Sequence, residues 1–378
     1  MRSVARGQMA ALAALATLAL IVAIVTSGCA SAGVGGTQGA EGGQVAEATV
    51  VDEGVDTPCE ASFAPISGPE AGLFPHVGDT IALIAPSSVP SQHQVDVTYA
   101  GLESWGYVPV LGRHVTQDGR TLDDCVEDLV WALEDPEVDA IFCIRGGYGG
   151  SEVMEALPAG LIESAGKLII GYSDVTTYSS GWSCAHLPSV HACMSATFDG
   201  LADACVEAER RVLAGEAPTY TCPADGNCRE GEAEGVLIGG NLATLTSVLG
   251  TAYDCTQTGE PYVLFLEDID ENPMHIHRYL TVLRHLGVLD RACGIVFGEW
   301  CGVPVRADGA GGIDSRGDAF ASVDDMVADL ICQDLDIPVA FGFPAGHGDV
   351  NYPLIMGMPA RLSVGPESYT LACATKAE

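Results

Sequence analysis

A chain of 378 residues, 48% of them hydrophobic and 46 of them glycine, has the material for two ordinary cores and the composition of a globular α/β protein. Sixteen basic residues stand against 51 acidic ones, a formal charge of −35, and only Lys167 and Lys376 are lysines. With no basic run to offset that balance, nucleic acid is excluded as a natural partner and an anionic surface would repel the chain.

The N-terminus sets Arg2 and Arg6 before an apolar run from Met9 to Val25, followed by Ser27, Gly28 and Cys29. That order is a secretory signal with small residues before its cleavage point. It resembles a bacterial lipobox over residues 1–29, with Cys29 as the lipidation site, although Thr26 stands where an aliphatic residue is usual. The alternative is an uncleaved membrane anchor, and both readings put the folded part outside the cytoplasm, in the bacterial cell envelope. Residues 30–75 are rich in Gly, Ala, Glu and Pro without hydrophobic periodicity, and read as a flexible tether spanning roughly 40 Å.

The fold is expected to start near Val77. Asp79–Ser88 (DTIALIAPSS) reads as a buried strand ending in a turn, and a second strand follows near Val108. An amphipathic helix around Leu122–Leu133, a turn at Asp135-Pro136, a strand at Ala140–Ile144 and a glycine-rich loop come next. This alternation argues for a parallel sheet with helices on both faces over residues 76–215. Between Pro218 and Glu234 the pattern breaks into Pro, Gly, Cys and charge, and residues 216–234 read as a linker. Residues 235–378 form a second domain of mixed strands and helices.

Of 14 cysteines, 13 remain once Cys29 is set aside, an odd number outside the cell. Cys222 and Cys228 flank PADGN and could close a small loop. No CxxC occurs and the cysteines do not cluster with histidines, so no metal or other cofactor is expected. His275 and His277 do not change this, because residues two apart on a helix face different ways.

Three polar groups follow buried strands. In KLIIGYSDVTT (Lys167–Thr177) the apolar run ends at a glycine and presents Ser173 and Asp174 where a helix begins. The carboxyl end of a strand in an open α/β sheet is where ligands bind, so Ser173 is a candidate nucleophile; the bland alternative is that Ser173 or Asp174 caps the helix. RGGYGG (Arg145–Gly150) lacks dinucleotide and P-loop spacing, and suits either an oxyanion hole or a tight turn. FLED ends a strand in Glu267 and Asp268, and FPAGHGD places His347 between glycines. A serine nucleophile needs a base and an acid that orients it, and these are residues of those types.

Taken together, DTIALIAPSS, AIFCIRGGYGG, IIGYSDVTT, LIGGNLATLTSVLGT, LFLEDIDENP, HRYLTVLRHLG and GFPAGH resemble, in order and spacing, the LD-carboxypeptidases. These are the S66 serine peptidases that include muramoyltetrapeptide carboxypeptidases and microcin C self-immunity peptidases. The resemblance covers about Val77–Ala372. It implies a Rossmann-like parallel-sheet N-terminal domain, a smaller swivelling β/β/α C-terminal domain and usually a homodimer. It also implies a triad of Ser173, Glu267 and His347, with an oxyanion site from the backbone of Gly146, Gly147 and Asp174. The implied substrate is the stem peptide of peptidoglycan, losing its C-terminal D-alanine. Alternatives are an immunity-like peptidase acting on a peptidyl or aminoacyl nucleotide, or a catalytically silent lipoprotein that binds wall peptides. Three departures from the family pattern stand out: HACM (His191–Met194) for His-Gly-Pro-Met, His277 where an acidic residue normally precedes Arg278, and a long insertion at Arg306–Phe320.

Overall fold

The computed structural model of the chain describes residues 59–304 and 320–375. The first half runs β1 (Glu60–Pro65), β2 (Thr80–Ile84), α1 (Gln92–Ser104), β3 (Val108–Leu111), α2 (Leu122–Glu134) and β4 (Ala140–Cys143). It continues through α3 (Gly150–Ala156), α4 (Leu161–Ala165), β5 (Leu168–Ile170), α5 (Thr176–Cys184), β6 (Ser189–His191) and α6 (Asp203–Leu213). The second half runs β7 (Glu216–Pro223), β8 (Gly231–Asn241), α7 (Leu242–Val248), β9 (Tyr262–Ile269), α8 (Pro273–His285) and β10 (Ala292–Cys301). After the undescribed residues come β11 (Val339–Ala340), β12 (Leu354–Met356), β13 (Pro359–Val364) and β14 (Ser368–Ala372).

Two sheets organise these elements. The first has six strands in the order β12-β6-β5-β4-β2-β3, with all neighbours parallel except β12, which runs antiparallel to β6. Every residue of β4 and β5 is buried, which is why those strands read as unbroken apolar runs instead of alternating. The order reverses between β2 and β4, so the loops leaving their carboxyl ends border the crevice where doubly wound sheets bind ligands. Capping boxes start the helices beside it, Ser91 with Gln94 on α1 and Thr121 with Asp124 on α2.

The second sheet has eight strands in the order β1-β7-β14-β13-β8-β9-β10-β11, antiparallel up to β8 and parallel beyond it. Leu242, Leu245 and Val248 of α7 and Ile276, Leu280 and Leu283 of α8 recur at helical spacing and are fully buried in its core. Each contributes about 1.5–3 kcal/mol by leaving water. The expected α/β plan with a parallel first sheet is present, and by strand count the second sheet is the larger.

Three expectations need correction. Residues 216–234 are not a linker, because β7 and the start of β8 lie inside the eight-stranded sheet. The tether does not extend to residue 75: Glu60–Pro65 pairs along β7, and Cys59 is already bonded into the fold through Cys222. Cys222 does not close a loop with Cys228 but forms a disulfide with Cys59, while Cys228 is a free thiol. The first and second share a cause, since a strand that pairs with a distant segment leaves no local periodicity to read. Cys29, the rest of the N-terminal segment and most of the insertion lie outside the described residues. Among the described residues no helix is long and apolar enough to cross a membrane.

Candidate active site

Ser173 sits on a sharp turn between β5 and α5. Its φ is 64°, a conformation that L-residues avoid at a cost of roughly 1–3 kcal/mol. A short 3₁₀ turn, Ser173–Val175, runs directly into α5, and neither Ser173 nor Asp174 caps either element. The capping alternative therefore fails for both side chains. Asp174 instead ties loops together: its carboxylate accepts from Ser87 Oγ at 2.5 Å and from the Gly150 N–H at 2.8 Å. Burial raises the Asp174 pKa, and those two hydrogen bonds pull it back.

The glycine loop lies against this turn. A Cβ at Gly146 would stand 2.9 Å from Ser173 Cβ and 3.4 Å from the Asp174 nitrogen, so no larger residue fits beside the serine. At Gly147, with φ 124°, a Cβ would overlap the Ser88 side chain, and Ser88 N–H donates to the Gly146 carbonyl at 3.2 Å. The loops after β2, β4 and β5 thus converge, and a Cβ on Gly146 would meet both Ser173 and the Asp174 amide.

The second half supplies the candidate acid and base. Glu267 is fully buried near the end of β9, one strand from Asn241 of β8. Its Oε2 stands 2.8 Å from His347 Nδ1, and the His347 side chain is 10% exposed. Gly346 permits the approach: its φ is 146°, and a Cβ there would stand 3.0 Å from Glu267 Oε2. The Tyr172 ring packs on the imidazole at 4.6 Å between centroids. Asp268 turns the other way, accepting from Asn241 Nδ2 at 2.9 Å and from the Ala243 N–H at 3.0 Å at the start of α7. The Asn241 N–H donates to Thr176 Oγ1 at 3.0 Å, which joins β8 to the segment just after Ser173.

Ser173 and His347 line one cavity of about 500 Å³, together with Arg145, Gly146, Gly147 and Asp270. A second, of about 490 Å³, adjoins it and shares Gly147, Ser173 and Ile269. A more apolar cavity of about 530 Å³ near Met154, Leu161 and Tyr253 holds none of the three expected catalytic residues. Among the described residues no three His, Cys, Asp or Glu side chains stand together as metal ligands. The cleft presents a hydroxyl, a carboxylate-paired imidazole and glycine-loop amides, the groups used in acyl transfer.

Sequence reasoning missed several supports. Asn351 accepts from the Gly346 N–H at 3.2 Å and donates to Cys193 Sγ at 3.1 Å, so the HACM segment braces the His347 loop. His191 packs edge-on against Tyr172 and Phe265, and its buried Nε2 has no partner. Nothing local in the sequence marks the Asn351–Cys193 and His191–Phe265 contacts, which join residues more than 70 positions apart.

The model of the LD-carboxypeptidase N-terminal domain matches residues 81–192 and that of the C-terminal domain matches residues 234–362. A probable murein peptide carboxypeptidase of Bacillus subtilis is 31% identical over 303 residues, 77% of this chain and 91% of that protein. The chain belongs to the LD-carboxypeptidase family. Another relative in that family, the murein tetrapeptide carboxypeptidase of Pseudomonas aeruginosa, is 28% identical over 287 residues, 72% of this chain and 89% of that protein. The crystal structure of a muramoyltetrapeptide carboxypeptidase from Oxalobacter formigenes shares the LD-carboxypeptidase fold, with a TM-score of 0.68 at 22% identity over 79% of this chain and 100% of that one.

Proposed function

We propose that this LD-carboxypeptidase removes the C-terminal D-alanine from peptidoglycan tetrapeptides through Ser173, His347 and Glu267. The observation that carries the reading is the His347–Glu267 pair at 2.8 Å, opening into the same cavity as Ser173. His347 Nε2 takes the Ser173 proton as Oγ attacks the scissile carbonyl, while Glu267 accepts from Nδ1–H and stabilises the imidazolium. Backbone N–H groups of the Gly146-Gly147 loop and of Asp174 receive the oxyanion. His347 then protonates the departing amine, and water cleaves the acyl-enzyme by the reverse sequence.

The same proposal places the enzyme in the cell envelope, lipid-anchored through Cys29. The Cys59–Cys222 disulfide supports an oxidising compartment, because such bonds persist outside the cytosol. The test is mass spectrometry of a murein tetrapeptide incubated with the full chain and with Ser173→Ala. Loss of one alanine mass with the wild type alone is the expected result. An intact tetrapeptide alongside turnover of an aminoacyl sulfamoyl nucleoside would instead assign the immunity-type activity.

A further inference from the structure

The two cavities that meet at Ser173 differ in what else they hold. His347 lines the first and is absent from the second. On the peptidase reading above, on which this inference rests, the histidine returns its proton to the leaving amine. The leaving residue therefore occupies the His347 cavity and the acyl residue the other. In a carboxypeptidase that leaving residue carries a free carboxylate one carbon from the amine.

Among the described residues lining the His347 cavity, Arg145 is the one permanent cation, in a chain where 51 acidic residues outnumber 16 basic ones. Its place is set by the fold. Arg145 follows β4 and immediately precedes Gly146, whose Cα hydrogen points at Ser173 from so close that a Cβ would stand 3.2 Å from Ser173 Oγ. Its Nη1 donates to the Val89 carbonyl at 2.8 Å, which steadies the guanidinium across the loop after β2. A guanidinium has five N–H donors in a planar fork, so this bond leaves a fork edge for a ligand. Asp270 lines the same cavity and repels a carboxylate, while the second cavity carries Glu152, Asp174 and Asp268 and no cationic side chain among its described residues. Among the described residues of the two cavities, a permanent positive charge stands only on the Arg145 side.

We propose that Arg145 binds the C-terminal carboxylate of the substrate and makes this cleft select chain ends over internal peptide bonds. The experiment compares kcat/KM for a tetrapeptide ending in free D-alanine with its C-terminal amide, using the full chain, Arg145→Gln and Arg145→Lys. The wild type prefers the acid by about 100-fold, the loss expected when a charge-assisted pair is removed. Arg145→Gln reduces that preference to less than about 3-fold, and Arg145→Lys, a point charge without the fork, falls between. Equal turnover of acid and amide by the wild type overturns the proposal, as does an unchanged preference in folded Arg145→Gln. If Arg145→Gln does not fold, the wild-type comparison and Arg145→Lys still decide it. If the wild type cleaves neither peptide, the peptidase reading fails separately, and calorimetric binding then decides: tighter binding of the acid supports Arg145 and equal affinity overturns it.

Discussion

Two histidines share one aromatic neighbour and differ in everything else. His347 and His191 both pack on Tyr172, with centroid separations of 4.6 and 5.8 Å. His347 faces the carboxylate of Glu267 and opens to the cleft, while His191 is walled in by Tyr172 and Phe265 and its Nε2 finds no partner. Burial, reinforced by the neighbouring His347, drives the His191 pKa down to about 3. An imidazole in that setting stays neutral and cannot cycle a proton at working pH. What separates the candidate proton carrier from the packing residue here is the partner and the opening to the cleft, not the residue type.

The sharpest way to test the contrast removes the group His347 would serve. Ser173→Ala is expected to lower kcat/KM by about 10⁴-fold or more with the circular dichroism melt preserved. Glu267→Gln turns His347 into a second His191, an imidazole with no anion to stabilise its charged form. A fall of roughly 10³-fold in kcat is expected, read from initial rates of D-alanine release.

Smaller effects fall on stability. Reducing the Cys59–Cys222 bond, or replacing both cysteines by serine, frees a loop of sequence separation 163 and detaches β1 from its tie to β7. The expected cost is about 2–5 kcal/mol, measured by urea unfolding with and without reductant. Next comes the carboxylate beside Glu267. Burial raises the Asp268 pKa from 3.8 to about 6, so the folded state holds its proton more tightly than the unfolded chain does. That contribution to stability is present below about pH 4 and is lost as pH rises to about 6, a decline of about 2–3 kcal/mol. Asp268→Asn is expected to flatten that part of the profile in urea melts taken between pH 4 and 7. Least affected is His191→Phe, which is expected to leave the pH–rate profile of kcat/KM in place with a change in rate under about 3-fold, because no proton of His191 is in play. A loss of 30-fold or more would show that His191 does more than pack.

Much of this was legible in the residues because the decisive signals are local. A buried parallel strand is an apolar run, and the run Leu168–Ile170 followed by Gly-Tyr-Ser-Asp marks a strand end whatever the rest of the chain does. Glu267 at the end of β9 and His347 between glycines were legible for the same reason. What escaped was long-range: β1 finding β7, Cys59 finding Cys222, and Asn351 bridging the His347 loop to Cys193. Asp174 is the instructive intermediate. Its position at a helix start suggested a cap, yet it bonds the Gly150 N–H at the start of a different helix, a partner that only the convergence of three loops supplies.

The most direct test of whether residues from the two halves of the chain work as one catalytic unit is a double-mutant cycle on kcat/KM. Ser173→Ala, His347→Ala and the double variant would be measured on the same tetrapeptide. Groups that act as a unit are grossly non-additive, so the double variant should be no slower than the worse single one, within about 3-fold. Losses that multiply, or a His347→Ala enzyme that retains wild-type turnover, would contradict it.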